Sequence, residues 1–149
     1  MEAALRIGYE LVTGETLTAI EFKDVRGMEG VKEASVDLKG TVLKVAVAHG
    51  LGNARELLER VKSGHQYHFI EIMCCPGGCI GGGGQPISTD KEIRLKRMAG
   101  IYDADQAMTL RKSHENPAVQ SLYKEFLGEP LGHKSHELLH TSYTVRSKY

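Results

Sequence analysis

Three cysteines, Cys74, Cys75 and Cys79, lie within six residues of this 149-residue chain. An odd and clustered set is a poor disulfide framework, and in a reducing compartment such cysteines are more often metal ligands or reactive thiols. The spacer between Cys75 and Cys79 is Pro-Gly-Gly, which carries almost no side chain. Two thiolates with this spacing can face one metal ion or one side of an iron–sulfur cluster.

A run of four glycines, residues 81–84, follows the last cysteine. Glycine amides can approach a ligand closely, and a nest of N–H groups beside sulfur stabilises an anionic cluster. An iron–sulfur cubane needs about four protein ligands, and a closed zinc site needs as many. The chain offers at most three cysteines, and the adjacent pair point in different directions. Histidines or another chain must therefore complete the site.

The elements that position this loop are predicted from apolar periodicity and turn residues. A β-hairpin precedes a strand–helix–strand unit whose strands run parallel, and Gly40 marks the hairpin turn. Asn53 and Glu56 have the capping-box spacing of a helix start, and Gly64 predicts the helix end. In order, we expect a helix over 1–13 with an apolar stripe of Ala4, Leu5, Gly8, Leu11 and Val12, a weakly alternating stretch over 19–25, strands over 31–38 and 42–48, a helix between Asn53 and Gly64, and a strand over 67–73.

The loop over 74–89 then begins where a parallel strand ends, and residues 49–52 open on the same edge of the sheet. Ligands of open α/β sheets bind at this edge. The remainder is predicted to be helical, with Asp90, Asn116 and Ser135 as helix caps and a helix over 117–127 that ends at Gly128. The predicted fold class is α/β, with a parallel βαβ core, a β-hairpin and C-terminal helices.

Composition excludes several function classes. Lysine plus arginine and aspartate plus glutamate each number 19, so the formal charge is zero, which argues against nucleic acid and against an anionic membrane surface. No apolar run approaches the roughly 20 residues of a membrane span. The first residues lack the basic cluster and apolar stretch of a secretory signal, so we expect a cytoplasmic location.

The segment EIMCCPGGCIGGGGQP, residues 71–86, resembles the third signature of the active-site domain of iron-only ([FeFe]) hydrogenases, E-x-M-x-C-x-x-G-C-x-x-G-G-G-Q-P. The start of the chain and residues 45–54 and 114–141 are similar to the family as well, so the resemblance covers essentially the whole chain. It implies that residues 1–149 form the C-terminal lobe of a two-lobed catalytic domain. Within this lobe, residues 1–89 would be the α/β part and residues 90–149 a helical tail.

The resemblance also implies a cofactor, the H-cluster, in which a 4Fe-4S cluster is linked to a diiron subcluster that interconverts dihydrogen with protons and electrons. Cys75 would ligate the cubane, and Cys79 would bridge it to the diiron unit. Met73 would pack beside the diiron unit, and Cys74 would be a bystander. The remaining cofactor-binding residues implied are Gly82, Gly83, Gly84 and Gln85.

Two earlier family signatures, T-S-C-C-P and M-P-C-x-x-K-x-x-E, are missing from the sequence. The resemblance therefore implies a naturally split small subunit of a hetero-oligomer, whose larger partner supplies the other H-cluster cysteines. Further iron–sulfur or flavin subunits would carry electrons to a ferredoxin or to NAD(P). Two other functions stay open: a non-catalytic iron–sulfur assembly or sensor protein, and a zinc or redox-thiol module in which histidines join the three cysteines.

Other chemistry-bearing residues have a structural interpretation that we favour. His133, His136 and His140 have helical spacing and could form a metal face, but a docking helix fits them better. Glu71 could relay protons, but holding the loop amides is the better role. The basic run over 91–97 is interpreted as a solvated helix face, with docking of an acidic subunit as the alternative. Candidate proton-transfer histidines without a nameable partner are His49, His65, His68 and His114, of which His68 is interpreted as structural.

Overall fold

A computed structural model describes residues 1–147. The chain divides into two compact units, Met1–Thr109 and a second that begins at Leu110. Within the described residues no helix is both long enough and apolar enough to cross a membrane. The first unit contains helix α1 (Glu2–Thr13), a 3₁₀ turn (Lys23–Val25), strands β1 (Val31–Leu38) and β2 (Thr41–His49), helix α2 (Leu51–Lys62), strand β3 (Phe69–Met73), a second 3₁₀ turn (Gly78–Gly81) and helix α3 (Lys91–Ala107).

The three strands form a mixed sheet with β2 in the centre. β1 pairs antiparallel with β2, and β3 pairs parallel with β2. The predicted hairpin and parallel strands are thus confirmed, and the central β2 is buried from Val45 to His49. On one face Val45 and Val47 pack with Leu5 of α1, and on the other Ala46 and Ala48 pack with Leu57 of α2. The α/β class is confirmed, with helices on both faces of the sheet.

The hairpin turn is tighter than predicted. Leu38 pairs with Thr41, so only Lys39 and Gly40 connect the strands, and both have positive φ, 57° and 96°. Such a two-residue turn matches the right-handed twist of the strands, and Gly40 adopts this φ without strain. The Asp37 carboxylate accepts a hydrogen bond from the Gly40 amide at 2.7 Å.

One expectation for the first part of the chain is wrong. The weakly alternating stretch over 19–25 ends in a 3₁₀ turn. α1 has the expected bounds and ends at Gly14 in the left-handed conformation, but Leu11 and Val12 of its predicted stripe are 77% and 67% exposed. The helix instead turns Arg6 inward, where the guanidinium binds the Asp105 carboxylate through two 3.0 Å hydrogen bonds. A paired arginine thus occupies a position that apolar periodicity does not mark.

The start of α2 also differs from the prediction. The helix begins at Leu51, and its N-terminal cap is Gly50 with φ 83°. Asn53 lies inside the first turn and donates a 2.7 Å hydrogen bond to the His49 carbonyl, so it ties the helix to the end of β2. Glu56 pairs with Arg60 rather than closing a capping box. A glycine that follows a strand directly lets the helix start three residues earlier.

The second unit confirms one predicted helix and corrects another. Asn116 caps α4 (Pro117–Leu122) by accepting from the Ala118 amide, and the helix continues as a π-helical turn (Tyr123–Leu127) that Gly128 ends. The last helix, α5 (His133–Leu139), begins two residues before Ser135, whose hydroxyl donates to the Glu129 and Gly132 carbonyls instead of capping. A 3₁₀ turn (Ser113–Glu115) precedes α4.

Candidate functional site

The loop that carries the cysteines, residues 74–86, is called the signature loop from here on. It starts where β3 ends, and its start lies beside the end of β2, because His49 and Met73 are partners in the parallel register. The Gly50 amide donates to the Met73 carbonyl at 2.8 Å. The expectation that the segments after β2 and β3 begin at the same edge of the sheet is therefore confirmed.

A compact double turn separates Cys75 from Cys79. The Gly78 amide donates to the Cys75 carbonyl at 2.8 Å, and the Gly82 amide donates to the Cys79 carbonyl at 3.2 Å. Gly77 and Gly78 have φ of 82° and 77°, a region that other residues adopt with strain. The glycines of the spacer are therefore needed for the turn itself, and not only for access to the sulfurs.

The cysteine side chains are free thiols on the outer side of this turn. Cys74 and Cys79 are exposed, and Cys75 is half-buried. A Cβ on Gly82 would lie 3.5 Å from Cys75 Sγ, whereas a Cβ on Gly83 or Gly84 would meet no atom within 4 Å. The loop thus presents sulfur beside open space and exposed glycine backbone, an arrangement that fits one side of a thiolate-ligated cluster.

The ligand set is incomplete within residues 1–147. Neither the three cysteines alone nor any combination of them with a histidine or carboxylate brings three ligand atoms within 4.8 Å of one another. A structural zinc site needs about four convergent ligands. The described residues therefore contain no preformed four-ligand site built on these cysteines.

Met73 supports the loop from below. A Cβ on Gly78 would lie only 2.7 Å from Met73 Sδ, so the thioether packs directly against the backbone next to Cys79. Met73 also lines a cavity of about 220 Å³ together with Lys32, Glu71 and Ile80. The structure thus places the Met73 thioether against the loop backbone, and its place beside a diiron unit stays a prediction.

Glu71 does not hold loop amides, so that expectation is wrong. Its carboxylate lies 2.8 Å from the α-amino nitrogen of Met1, across the cavity beneath the loop. Lys32 is buried nearby and donates to the Gly27 carbonyl at 3.0 Å. Burial lowers the pKa of Lys32, and the charges of Glu71 and Glu29 oppose this shift.

His49 takes the role expected of Glu71. Its Nδ1 accepts a 3.0 Å hydrogen bond from the Gly77 amide, and the residue is only 5% exposed. Burial lowers the pKa of His49, the charges of Lys32 and Arg94 lower it further, and the Glu29 backbone acts in the opposite direction. Because Nδ1 accepts the Gly77 amide, it carries no proton in this arrangement. The sequence signal was its place at the end of β2, on the ligand-binding edge.

Two arginines of the basic run also contact the loop, which corrects the interpretation of a solvated face. Arg97 donates to the carbonyls of Ile80 and Pro86 in the loop and of Ser88 just after it. Arg94 donates to the Thr89 carbonyl, and its Cδ would lie 2.9 Å from a Cβ on Gly81. Lys91 and Lys96 are exposed as expected. Arginine and lysine look alike in a charge pattern, but here only the arginines turn toward the protein.

His65 and His68 belong to the first unit, and His114, His133, His136 and His140 belong to the second. His68 accepts from the Lys44 amide at 3.0 Å, in line with a structural role, and both His68 and His65 precede β3 at its opposite end. In the second unit the rings of His136 and His140 stack with centroids 4.5 Å apart. Within the described part of the chain, no set of three convergent metal-ligand atoms includes His133, His136 and His140.

Comparison with known proteins identifies the family. The model of the iron only hydrogenase large subunit, C-terminal domain, matches residues 1–83, and the model of the iron hydrogenase small subunit matches residues 91–146. The NADP-reducing hydrogenase subunit HndD of Solidesulfovibrio fructosivorans is 56% identical over 99% of this chain and 26% of its own length. A probable cytosolic Fe-S cluster assembly factor of Drosophila virilis is 36% identical over 93% of this chain and 29% of its own length.

Solved structures agree with the sequence comparison. A variant of the [FeFe]-hydrogenase HydA1 from Chlamydomonas reinhardtii superposes with a TM-score of 0.77 at 46% identity, over 96% of this chain and 43% of the other. The chain spans between about a quarter and a third of the length of its curated relatives. It belongs to the iron-only hydrogenase family and corresponds to the C-terminal part of that family's catalytic domain.

Proposed function

We propose that this chain forms one side of the H-cluster site of an iron-only hydrogenase that interconverts dihydrogen with protons and electrons. The observation that carries the proposal is the signature loop, which presents two thiols on a double turn with Met73 packed beneath. In this proposal Cys75 ligates the 4Fe-4S cluster, and Cys79 bridges it to the diiron subcluster. The cofactor, when bound, supplies the redox chemistry, and the chain holds and orients it.

The residues around the cysteines have distinct tasks. Gly82 leaves room beside the Cys75 sulfur, and the open flank at Gly83 and Gly84 lets backbone amides face the anionic cluster. Gln85 ends the run, and its amide donates to the Gly82 carbonyl at 3.4 Å. Met73 adds a polarisable, apolar contact that excludes water from the inner side of the loop.

The remaining ligands come from a partner chain in this proposal. The incomplete convergence of ligand atoms supports it, because a cubane needs about four protein ligands. The larger subunit would carry the two missing signatures. Iron–sulfur or flavin subunits would pass electrons to a ferredoxin or NAD(P), and the name of HndD makes NADP the first acceptor to test.

An iron–sulfur assembly or sensor role is the second candidate. It is favoured by the relatives named as assembly factors, which match nearly the whole chain. Hydrogen uptake by the purified complex separates the two functions, since an assembly factor has no need to turn over dihydrogen.

The decisive experiment replaces the cysteines one at a time in the complex with the larger subunit. We expect C79S to abolish hydrogen uptake and the infrared bands of cluster-bound carbon monoxide and cyanide, and C75S to lower the iron content. C74A, the matched control from the same loop, should keep most activity. An inactive C74A with an active C79S would refute the ligand assignment. One zinc and no iron in the wild-type complex would refute the function.

A further inference from the structure

The guanidinium of Arg97 donates to carbonyls before and after the glycine run of the signature loop. Nη1 donates to the Ile80 carbonyl at 3.0 Å, and Nη2 donates to the carbonyls of Pro86 and Ser88 at 3.0 and 3.1 Å. Ile80 lies before the glycine run and Pro86 after it. One side chain therefore bridges the two ends of the most flexible stretch of the loop.

The second half of the glycine run, Gly83 and Gly84, has little else to fix its shape, whereas Gly81 packs against Pro76 and Gly82 against the two cysteines. Glycine loses more conformational freedom on ordering than any other residue, and a Cβ on Gly83 or Gly84 would meet no neighbour. The hydrogen bonds that the run itself makes are long, 3.2 Å at the Gly82 amide and 3.4 Å at the Gln85 amide. Charge-assisted bonds from an arginine are stronger than such amide bonds.

Helix α3, which carries Arg97, is itself held firmly within the first unit. Asp90 caps its start by accepting from the Ile93 amide at 2.9 Å. Near its end, Asp105 binds the buried Arg6, and Tyr102 lies under the Arg26 guanidinium at 4.5 Å from the ring centroid. Arg97 is thus presented from an anchored platform rather than from a loose surface helix.

We propose that Arg97 is a positioning residue, which sets the shape of the signature loop and thereby the place of Cys79, next to Ile80. The inference rests on the proposed function for its consequence, because a fixed loop is what lets Cys79 meet the cluster. Two separate nitrogens of the planar arginine fork reach the three carbonyls, whereas a lysine would have to reach them from a single nitrogen.

The test measures amide hydrogen exchange in the iron-free chain, so that it needs no hydrogenase activity. In R97Q the amides of Gly82 and Gln85 should exchange about tenfold faster than in the wild type, and in R97K at least about threefold faster. Amides of β2 should stay within about twofold, which separates a loop effect from global unfolding. K96Q is the matched control on the same helix and should match the wild type, because Lys96 is exposed and forms an ion pair with Glu92 at 2.7 Å rather than with the loop.

Three results would overturn the proposal. Wild-type exchange in R97Q or R97K would show that the fork does not hold the loop. Equal acceleration in β2 would show that Arg97 supports the unit as a whole. In the assembled complex, R97K should lower cluster content and change its electron paramagnetic resonance line shape, and an unchanged spectrum with full iron would exclude an effect on the cysteines. If the wild-type complex held no iron, the proposed function would fail while the exchange result would stand.

Discussion

Replacing Gly81 with alanine should distort the signature loop by a defined amount. A Cβ at this position would lie 2.3 Å from the Pro76 carbonyl oxygen and 2.9 Å from Arg94 Cδ. The arginine side chain can rotate away, but the carbonyl belongs to the backbone. Since real Cβ atoms are essentially never found closer than 3.0 Å to such an atom, the two arms of the loop must separate by about 0.7 Å.

The cost follows from that displacement. Overpacking relieved only by backbone movement costs about 1–3 kcal/mol of unfolding free energy. A misplacement of about 1 Å can lower a rate by about 10²-fold when groups must be held in register. We therefore expect the G81A complex to lose about 10²-fold in hydrogen uptake.

Urea unfolding of the iron-free chain measures the loss of unfolding free energy in G81A, and G83A is the matched control. G83A places the same methyl group two residues further along the run, where it meets no atom within 4 Å and where φ is not positive. This control should not lower the unfolding free energy and should raise it by up to about 1 kcal/mol, because alanine reduces the conformational entropy of the unfolded chain. If G81A were as stable as G83A, the predicted contact with Pro76 would be refuted.

Two further predictions concern His49 and Glu33. H49L should lower the unfolding free energy by about 1–3 kcal/mol, because the Gly77 amide loses its acceptor. H49N keeps an acceptor near the Nδ1 position and should recover most of this loss in urea unfolding. Equal losses in both variants would exclude the hydrogen bond as the cause. A hydrogen bond from Tyr67, and then the contact with Arg60, hold the pKa of the Glu33 carboxyl below its ordinary value of 4.5. The ionised carboxylate therefore stabilises the fold above that pH, and this contribution to the unfolding free energy is lost as the pH falls through the folded-state pKa. Y67F should reduce this acid-linked loss when unfolding is compared at neutral pH and below about pH 4, and an unchanged pH profile would contradict the assignment.

Turns and helix caps could be predicted from the sequence where a single residue determines the local structure. Gly40 at the hairpin turn, Asp90 before α3 and Asn116 before Pro117 act through their own backbone or side chain, so their roles need no tertiary context. The parallel pairing of β2 and β3 followed from chain order, because a helix of this length returns the chain to the same edge. The same reasoning located the cysteine loop.

The supports of the loop could not be predicted in this way. Arg97, His49 and Glu71 find their partners across the fold, and a charge or histidine pattern does not encode which carbonyl or amide lies opposite. The inward turn of Arg6 was missed for the same reason, since a buried arginine is tolerated only when a distant carboxylate is present. Residue types set what each side chain can do, and packing decides which of these it does.

The position of Arg97 has a consequence for how this part of the enzyme can be divided among genes. The two family matches meet between residues 83 and 91, so Arg97 belongs to one match while Ile80 belongs to the other. A chain break between residues 83 and 91 would turn the hydrogen bonds of Arg97 to Ile80 into contacts between two polypeptides. In such an organism the hydrogen bonds from Arg97 to the cysteine loop would form only after the two products had met.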